Sequence, residues 1–156
     1  KAFQEWLINN AFTYEIMIPA SMDSEIYSLM QQDLRMYFPQ YSFGLEKRET
    51  TCLVIKQISD SNLLKSNGGE KVVNYAYGTF TLKNQKIPVL VGYLNVLAMQ
   101  NSPHPVVDGT GITEPVDLDL EANLSDINDL NRALKSYGLV IEKDQRIIDV
   151  LVVKDK

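Results

Sequence analysis

Apolar residues recur every three or four positions in two segments of the chain, residues 24–38 and 126–137. This spacing places them on one face of a helix and predicts two amphipathic helices. Ser125 is suited to cap the start of the later helix, and Gly138 is suited to end it. We therefore expect each helix to cover the apolar side of a sheet.

Two further helices are predicted from shorter signals. Pro88 is favoured at the first position of a helix, which we expect to continue to about residue 100. Its buried stripe is predicted to contain Val91, Leu94, Leu97 and Ala98. Residues 1–10 predict a short helix with three apolar residues on one side, Phe3, Trp6 and Leu7.

Alternation of apolar and polar residues predicts strands between these helices. Residues 12–19 alternate in this way, and residues 103–108 and 114–122 predict two shorter strands. Residues 72–84 are predicted to form one long strand. One face of that strand would carry Tyr75, Tyr77, Thr79 and Thr81.

Two longer segments each combine apolar runs with a polar centre. Residues 41–58 predict a hairpin that turns at residues 47–49. Residues 138–155 predict a second hairpin that turns at residues 143–145.

The order of these elements predicts an α+β fold of repeated strand-helix-strand-strand units, with helices packed on mixed or antiparallel sheets. We expect one domain over residues 1–156, built of two similar halves at about 12–58 and 113–154. A middle strand-helix-strand unit would span about 72–108. The two halves are predicted to bury a matching apolar set: Leu29, Leu34, Leu53, Ile55, Ile127, Leu130, Leu134, Leu151 and Val153.

Composition restricts the classes of partner. The net charge of −5, without a block of Lys and Arg, disfavours nucleic acid and anionic lipid. No apolar stretch approaches the roughly 20 residues of a membrane span. Since the chain opens at Lys1, we expect a mature product or an excised domain. Cys52 and His104 are each the single residue of their type, and we interpret them as a half-buried strand residue and a turn residue.

The segment after Pro105 resembles a catalytic motif, because an apolar run ends in Asp-Gly-Thr-Gly at Asp108. Dehalogenase-type phosphatases need another aspartate two positions earlier, where this chain has Val106. Aspartic proteases need threonine directly after the aspartate, where Gly109 intervenes. We therefore favour an Asx-type turn at Asp108. The alternative is a hydrolase that uses Asp108 with Glu114 or Asp117.

Two candidate binding sites each have a structural alternative. Asp117, Asp119 and Glu121 alternate along a predicted strand, about 6–7 Å apart, too far for all three to hold one ion. A solvated strand face is favoured, and neither metal nor cofactor is predicted. Tyr75 and Tyr77, beside Phe80, are the alternative: a platform for a sugar or peptide, although packing is the commoner role of such residues.

Two segments carry a family resemblance. The motif residues Pro105, Val106, Val107, Asp108, Thr110, Gly111 and Thr113 resemble the signature of a family of soil-associated, exported bacterial proteins of unknown function. Arg48, Glu49 and Thr50 match a second family segment, although Lys47 stands where histidine is common. The resemblance implies an extracytoplasmic domain, sometimes placed behind a thioredoxin-like domain. It implies no activity.

The strand-helix rhythm is also similar to the short N-terminal domains of secretins and TonB-dependent receptors, which are contact modules of the cell envelope. This second likeness concerns pattern alone. Together the two resemblances predict a non-enzymatic, periplasmic or otherwise extracytoplasmic module that binds a protein partner in the cell envelope.

Overall fold

A computed structural model describes residues 2–76 and 78–156 of the chain. The described residues form four α-helices and six β-strands in two sheets, which confirms the predicted α+β class. The helices are α1 Ala2–Asn10, α2 Ile26–Tyr37, α3 Ile87–Tyr93 and α4 Ile127–Leu134. The strands are β1 Tyr41–Gln57, β2 Val72–Ala76, β3 Thr79–Gln85, β4 Val106–Asp108, β5 Val116–Glu121 and β6 Leu139–Asp155.

The predicted helices are all present, with two local differences. Asp126, and not Ser125, caps α4, because its carboxylate accepts hydrogen bonds from the backbone N–H groups of Asn128 and Asp129. Gly138 follows the last helical turn at φ +71°, the left-handed end predicted for it. After α3, residues Leu94–Ala98 form a π-helical turn. The wider turn changes the rotation per residue, which leaves Leu97 47% exposed although the α-helical stripe predicted it to be buried.

The two sheets have different strand directions. One is mixed, in the order β4-β1-β6, and β4 runs parallel to β1 with Leu53 opposite Val106. The other is antiparallel, in the order β2-β3-β5. On β5 burial alternates strictly: Val116, Leu118 and Leu120 are buried, and the acidic residues between them are partly or fully exposed.

Both predicted hairpins at the long polar segments are wrong. β1 and β6 are each a single strand of 17 residues that continues through residues 47–49 and 143–145. A two-residue hairpin requires a positive φ, and no residue of either strand has one. The polar centres instead supply ion pairs across the sheet, such as Lys47–Asp149 at 3.0 Å and Lys56–Asp144 at 3.0 Å.

Two other strand predictions are wrong. Residues 72–76 and 79–84 belong to two antiparallel strands and not to one, since β2 and β3 pair with Tyr75 opposite Phe80, and Gly78 lies before β3 at φ +81°. Residues 11–19 have no regular secondary structure. An extended segment becomes a strand only when a neighbour accepts its backbone hydrogen bonds, and none does so here among the described residues.

The chain divides into two compact units. The second unit, Lys47–Asp149, contains the hydrophobic core. Its central strand β3 contributes Phe80 and Leu82, and α4 contributes Leu130 and Leu134, all without exposed surface. As predicted, Leu53 and Ile55 of β1 are buried in the same core, and Ile127 is partly buried against it.

The first unit, Lys1–Glu46 with Val150–Lys156, is different, because none of its described residues is buried. Leu29 and Leu34 of α2 are half-buried. Leu151 is 65% and Val153 is 52% exposed, so the prediction that they are buried is wrong. The matching apolar sets expected in the two halves therefore have different environments.

Side chains bind the backbone of three outer strands in the second unit. The Asn95 amide accepts from the Val106 N–H and donates to the Val106 carbonyl, both at 2.8 Å, on β4. The Asn131 amide makes the same pair of bonds to Ile141 on β6, and the Tyr137 hydroxyl does so to Asp119 on β5. Each side chain replaces a neighbouring strand at that point. The backbone groups at these positions are therefore not open sheet edges.

Candidate functional site

Asp108 lies at the end of β4 and belongs to its own turn. Its Oδ1 accepts hydrogen bonds from the Thr110 backbone N–H at 2.9 Å and from the Thr110 hydroxyl at 2.7 Å. The Thr110 hydroxyl oxygen also accepts from the Ile112 N–H at 3.1 Å. This is the Asx turn favoured from the sequence, and it is the geometry that argues against a hydrolase centred on Asp108.

The glycines of the same motif have separate structural reasons. Gly111 has φ +73°, which favours glycine. At Gly109 a Cβ would overlap Cγ1 of Val54 and lie 3.2 Å from the Ile55 carbonyl oxygen. The motif from Pro105 to Thr113 thus connects β4 to β5 by a close approach and a tight turn. Residues Arg48, Glu49 and Thr50 lie on β1, where the first two are exposed.

The acidic residues of β5 have different partners. The Asp117 carboxylate accepts from the backbone N–H of Asn84 at 2.7 Å and of Asn67 at 3.1 Å. Asp119 forms an ion pair with Lys83 on β3. Among the described residues no group of three or more His, Cys, Asp or Glu side chains could hold a metal ion. The carboxylates of this face therefore organise the sheet and the loop before β2.

The Asp117 carboxyl should couple stability to pH. The hydrogen bond from the Asn84 N–H, ahead of the weaker one from Asn67, holds the pKa of Asp117 below its ordinary value. A lowered pKa means that this stabilisation is complete above the unfolded value of about 3.9 and is lost as pH falls through the folded pKa. We expect the stability difference between wild type and Asp117→Asn to be constant at neutral pH and to shrink below about pH 4. Urea unfolding at several pH values measures it, and an unchanged difference down to pH 2 would contradict the assignment.

The proposed aromatic platform loses one of its rings to the core. Phe80 has no exposed surface, and its ring centroid lies 5.4 Å from that of Tyr93 on α3. Tyr75 is 44% exposed at the edge strand β2, with its centroid 6.4 Å from Tyr93. Tyr77 lies outside the described residues. Of the two rings that the structure describes, only Tyr75 is therefore exposed.

Cys52 and His104 are also explained by structure. The His104 backbone N–H donates to the Ser102 hydroxyl oxygen, and that hydroxyl donates to the His104 carbonyl, which closes a turn. Cys52 is fully buried on β1, more than the half-burial expected, and burial raises the pKa of its thiol.

We expect Cys52 to be nearly inert to a thiol reagent in the folded protein, because reagents attack the thiolate and need access to it. Its reaction with dithionitrobenzoate at pH 8 should be at least about 100-fold slower than in 6 M guanidinium, where the thiolate is exposed. Rapid labelling of folded protein would show that the strand opens readily.

An apolar groove lies in the first unit, between α2 and residues of β1 and β6. We call it the α2 groove. It has a volume of about 460 Å³, and it is lined by Tyr27, Met30, Gln31, Leu34, Arg35, Phe43, Gly44, Leu45 and Leu151. Among the described residues that line it, Arg35 is the single charged one. Leu45 is 70% and Tyr27 is 75% exposed, so the walls of the groove are apolar surface in water.

The irregular segment before α2 contacts the helix and the residue that follows it. The Tyr14 hydroxyl donates to Oδ2 of Asp33 at 2.7 Å, and Phe12 meets Phe38 edge-on with centroids 5.2 Å apart. Burial and the hydrogen bond to Asp33 raise the pKa of Tyr14 to about 12. The stripe Tyr27, Met30 and Leu34 of the same helix lines the groove.

The sequence predicted α2 to be amphipathic and Leu29 and Leu34 to be buried, but it did not place Tyr27 on the apolar face. The spacing of Tyr27, Met30 and Leu34 is typical of any amphipathic helix. It does not distinguish a helix that packs on its own sheet from a helix that binds another protein. Only the exposure of Leu45 and Leu151 separates the two cases.

A second cleft of about 460 Å³ lies in the second unit beside the loop after β1. Its polar residues are partly engaged with each other: the Gln57 amide donates to the Ser59 carbonyl and to Asp60, and Ser61 caps a short helical turn. Glu114 lines this cleft, whereas Asp108 does not. The cleft therefore does not bring Asp108 together with Glu114 or Asp117, the pairs of the hydrolase alternative.

No helix among the described residues is long and apolar enough to cross a membrane. Comparison with protein-family models, with curated protein sequences and with solved structures gives no match to this chain. The family resemblance carried by the Asp108 motif therefore stays a prediction.

Proposed function

We propose that this protein is a non-enzymatic protein-interaction module that binds its partner through the α2 groove. The observation that carries the proposal is the absence of any buried residue among the described part of the first unit, although that unit is rich in large apolar side chains. Large apolar patches are rare on monomeric proteins and are typical of protein contact sites, and the α2 groove is lined mainly by apolar residues.

The size of the exposed aromatic surface supports a protein and not a small ligand. Five rings of the first unit, Phe3, Trp6, Phe12, Tyr27 and Tyr37, are between 56% and 75% exposed. At roughly 150–250 Å² per ring, they leave on the order of 700 Å² in water. A stable protein interface covers about 800 Å² on each partner. Aromatic residues also dominate the binding energy of interfaces.

The cellular setting is proposed from the resemblance of the Asp108 and Arg48 motifs. The module would act outside the cytoplasm, against a protein of the cell envelope, and adjoin a thioredoxin-like domain. Nothing in the geometry favours the hydrolase alternative, because Asp108 is engaged in its own turn. Fractionation of the producing cells tests the location, and a purely cytoplasmic protein would contradict it.

In-cell photo-crosslinking tests the binding surface. A benzophenone amino acid at Gln31, a polar residue of the groove, should give covalent protein adducts that mass spectrometry identifies. A Cβ at Gly44 would meet open space, so Gly44→Phe should fill the groove without strain and reduce the adduct at least about tenfold, as expected for loss of an interface anchor.

The matched control is Gly92→Phe, since Gly92 also has open space around its Cβ but lies on α3 in the second unit. It should leave the adduct unchanged. The same benzophenone at Val96, an exposed position of the second unit, gives the background. Adduct at Gln31 no stronger than at Val96 would refute the proposed binding surface.

A further inference from the structure

We infer that the α2 groove binds helix α1 of a second copy of this chain, so that two copies dock reciprocally. The inference rests on the proposed function and names the partner for the same groove. It is supported by two exposed apolar surfaces, one on α1 and the other in the groove. Every copy of the chain has both surfaces.

Helix α1 has the form of a groove ligand. Phe3, Trp6 and Leu7 recur at helical spacing and are 70%, 56% and 37% exposed. The Phe3 and Trp6 rings lie nearly parallel, with centroids 6.3 Å apart, and present one continuous aromatic surface. Short amphipathic helices with anchors at this spacing bind apolar grooves in many complexes.

The groove is not filled by α1 of its own chain. None of the residues Ala2–Asn10 lines it, and the described side chains of α1 are all exposed. An isolated helix of nine residues is only marginally stable in water, so α1 gains from any apolar surface that covers it.

Length and charge fit the reciprocal arrangement. With 9 residues, α1 is about 14 Å long, and the α2 wall from Tyr27 to Arg35 extends about 12 Å. The charged lining residue of the groove is Arg35, whereas α1 contains Glu5 and no basic residue. Docking of α1 therefore places no second positive charge against Arg35.

The exposed area of the contact favours a reciprocal arrangement. In a two-fold dimer the same contact occurs twice, because each copy gives its α1 and offers its groove. The rings that belong to this contact, Phe3, Trp6 and Tyr27, expose on the order of 400 Å² per copy. This is about half of the roughly 800 Å² that each partner of a stable complex covers, and exposed aliphatic lining residues such as Leu45 add to it. One symmetric pairing thus covers both surfaces and leaves no open end for further growth.

Trp6 is the single tryptophan of the chain, so its fluorescence reports on α1 directly. We expect its emission to shift to shorter wavelength as the purified protein is concentrated from about 0.1 to 100 μM, a range around a micromolar Kd. The shift should follow the monomer-to-dimer change seen by light scattering. Gly44→Phe should abolish both changes, and Gly92→Phe should preserve them. A chain that stays monomeric to 100 μM, or a dimer without a Trp6 shift, would overturn the inference.

Cysteine trapping identifies the contact itself. Gln4→Cys and Gln31→Cys proteins are purified separately, mixed and mildly oxidised, and Cys52 contributes little background because it is buried. The mixed disulfide should form several-fold faster than either homodisulfide and faster than a mixture of Gln4→Cys with Val96→Cys. Equal rates in all mixtures would overturn the inference. Closure of the Gln4→Cys, Gln31→Cys double variant within a monomer would also overturn it, since α1 would then fill its own groove.

The two sets of experiments separate the two proposals. Adducts at Gln31 with a different protein, combined with failure of cysteine trapping, would contradict the second copy and keep the interaction module. Absence of both adducts and trapping would contradict both proposals.

Discussion

Replacing Phe80 with alanine is expected to lower the free energy of unfolding by about 3–5 kcal/mol. The variant loses the buried apolar surface of the ring, and it also contains a cavity where the ring was. Phe80 lies on the central strand of the antiparallel sheet, without exposed surface, between Tyr75 on β2 and Leu120 on β5. The neighbouring strands and α3 cover it from several sides, so the surroundings cannot easily collapse into the space.

Tyr75→Ala is the matched control, since Tyr75 is the cross-strand partner of Phe80 and both rings approach Tyr93. Its ring is 44% exposed, and we expect its removal to cost about 1 kcal/mol or less. Urea unfolding followed by circular dichroism measures both variants, because the single tryptophan lies in the first unit. Similar losses for the two variants would contradict the core role of Phe80 and favour the aromatic platform again.

The second large effect is expected at Gly138, where alanine should destabilise the protein by about 2–5 kcal/mol. The left-handed conformation at φ +71° costs a side chain about 1–2 kcal/mol, and overpacking adds about 1–3 kcal/mol. A Cβ there would overlap the Ser59 carbonyl oxygen and lie 2.8 Å from its hydroxyl oxygen. Ser59 cannot easily move away, because the backbone N–H groups of Ile58 and Ser59 donate to the Gly138 carbonyl.

Gly111→Ala separates the two causes. Gly111 has nearly the same φ, +73°, but a Cβ there would have no atom within 4 Å. It should therefore cost only the conformational part, about 1–2 kcal/mol. Chemical unfolding of the two variants side by side gives the steric part as their difference. Equal losses would show that the contact with Ser59 relaxes without cost.

Local physical chemistry allowed several elements to be predicted from the sequence. The strict alternation on β5 placed Val116, Leu118 and Leu120 inside, because successive side chains of a strand point to opposite faces. The Asx turn at Asp108 and the helix end at Gly138 depend on hydrogen bonds and dihedral angles within a few residues. Each of these features needs no distant partner.

The local sequence did not determine whether the polar centres of β1 and β6 form turns or continue as strands. Lys47, Glu49 and Asp144 are compatible with a turn or with the exposed face of a strand. The pairing of the two long strands selects the exposed strand face. The ladder between the strands satisfies the backbone hydrogen-bonding groups, and the polar side chains form ion pairs such as Lys47–Asp149. The alternating residues 12–19 do not form a strand, because no neighbouring strand among the described residues pairs with them.

Burial of the leucines was decided by tertiary structure alone. Leu134 and Leu151 both lie in apolar patterns of equal regularity, yet one has no exposed surface and the other is 65% exposed. The sequence determines which residues share a face of a helix or strand, and it thereby determined the apolar stripe of α2. Whether that face becomes core or contact surface depends on what else packs on it, and in the first unit no described residue of this chain completes the packing.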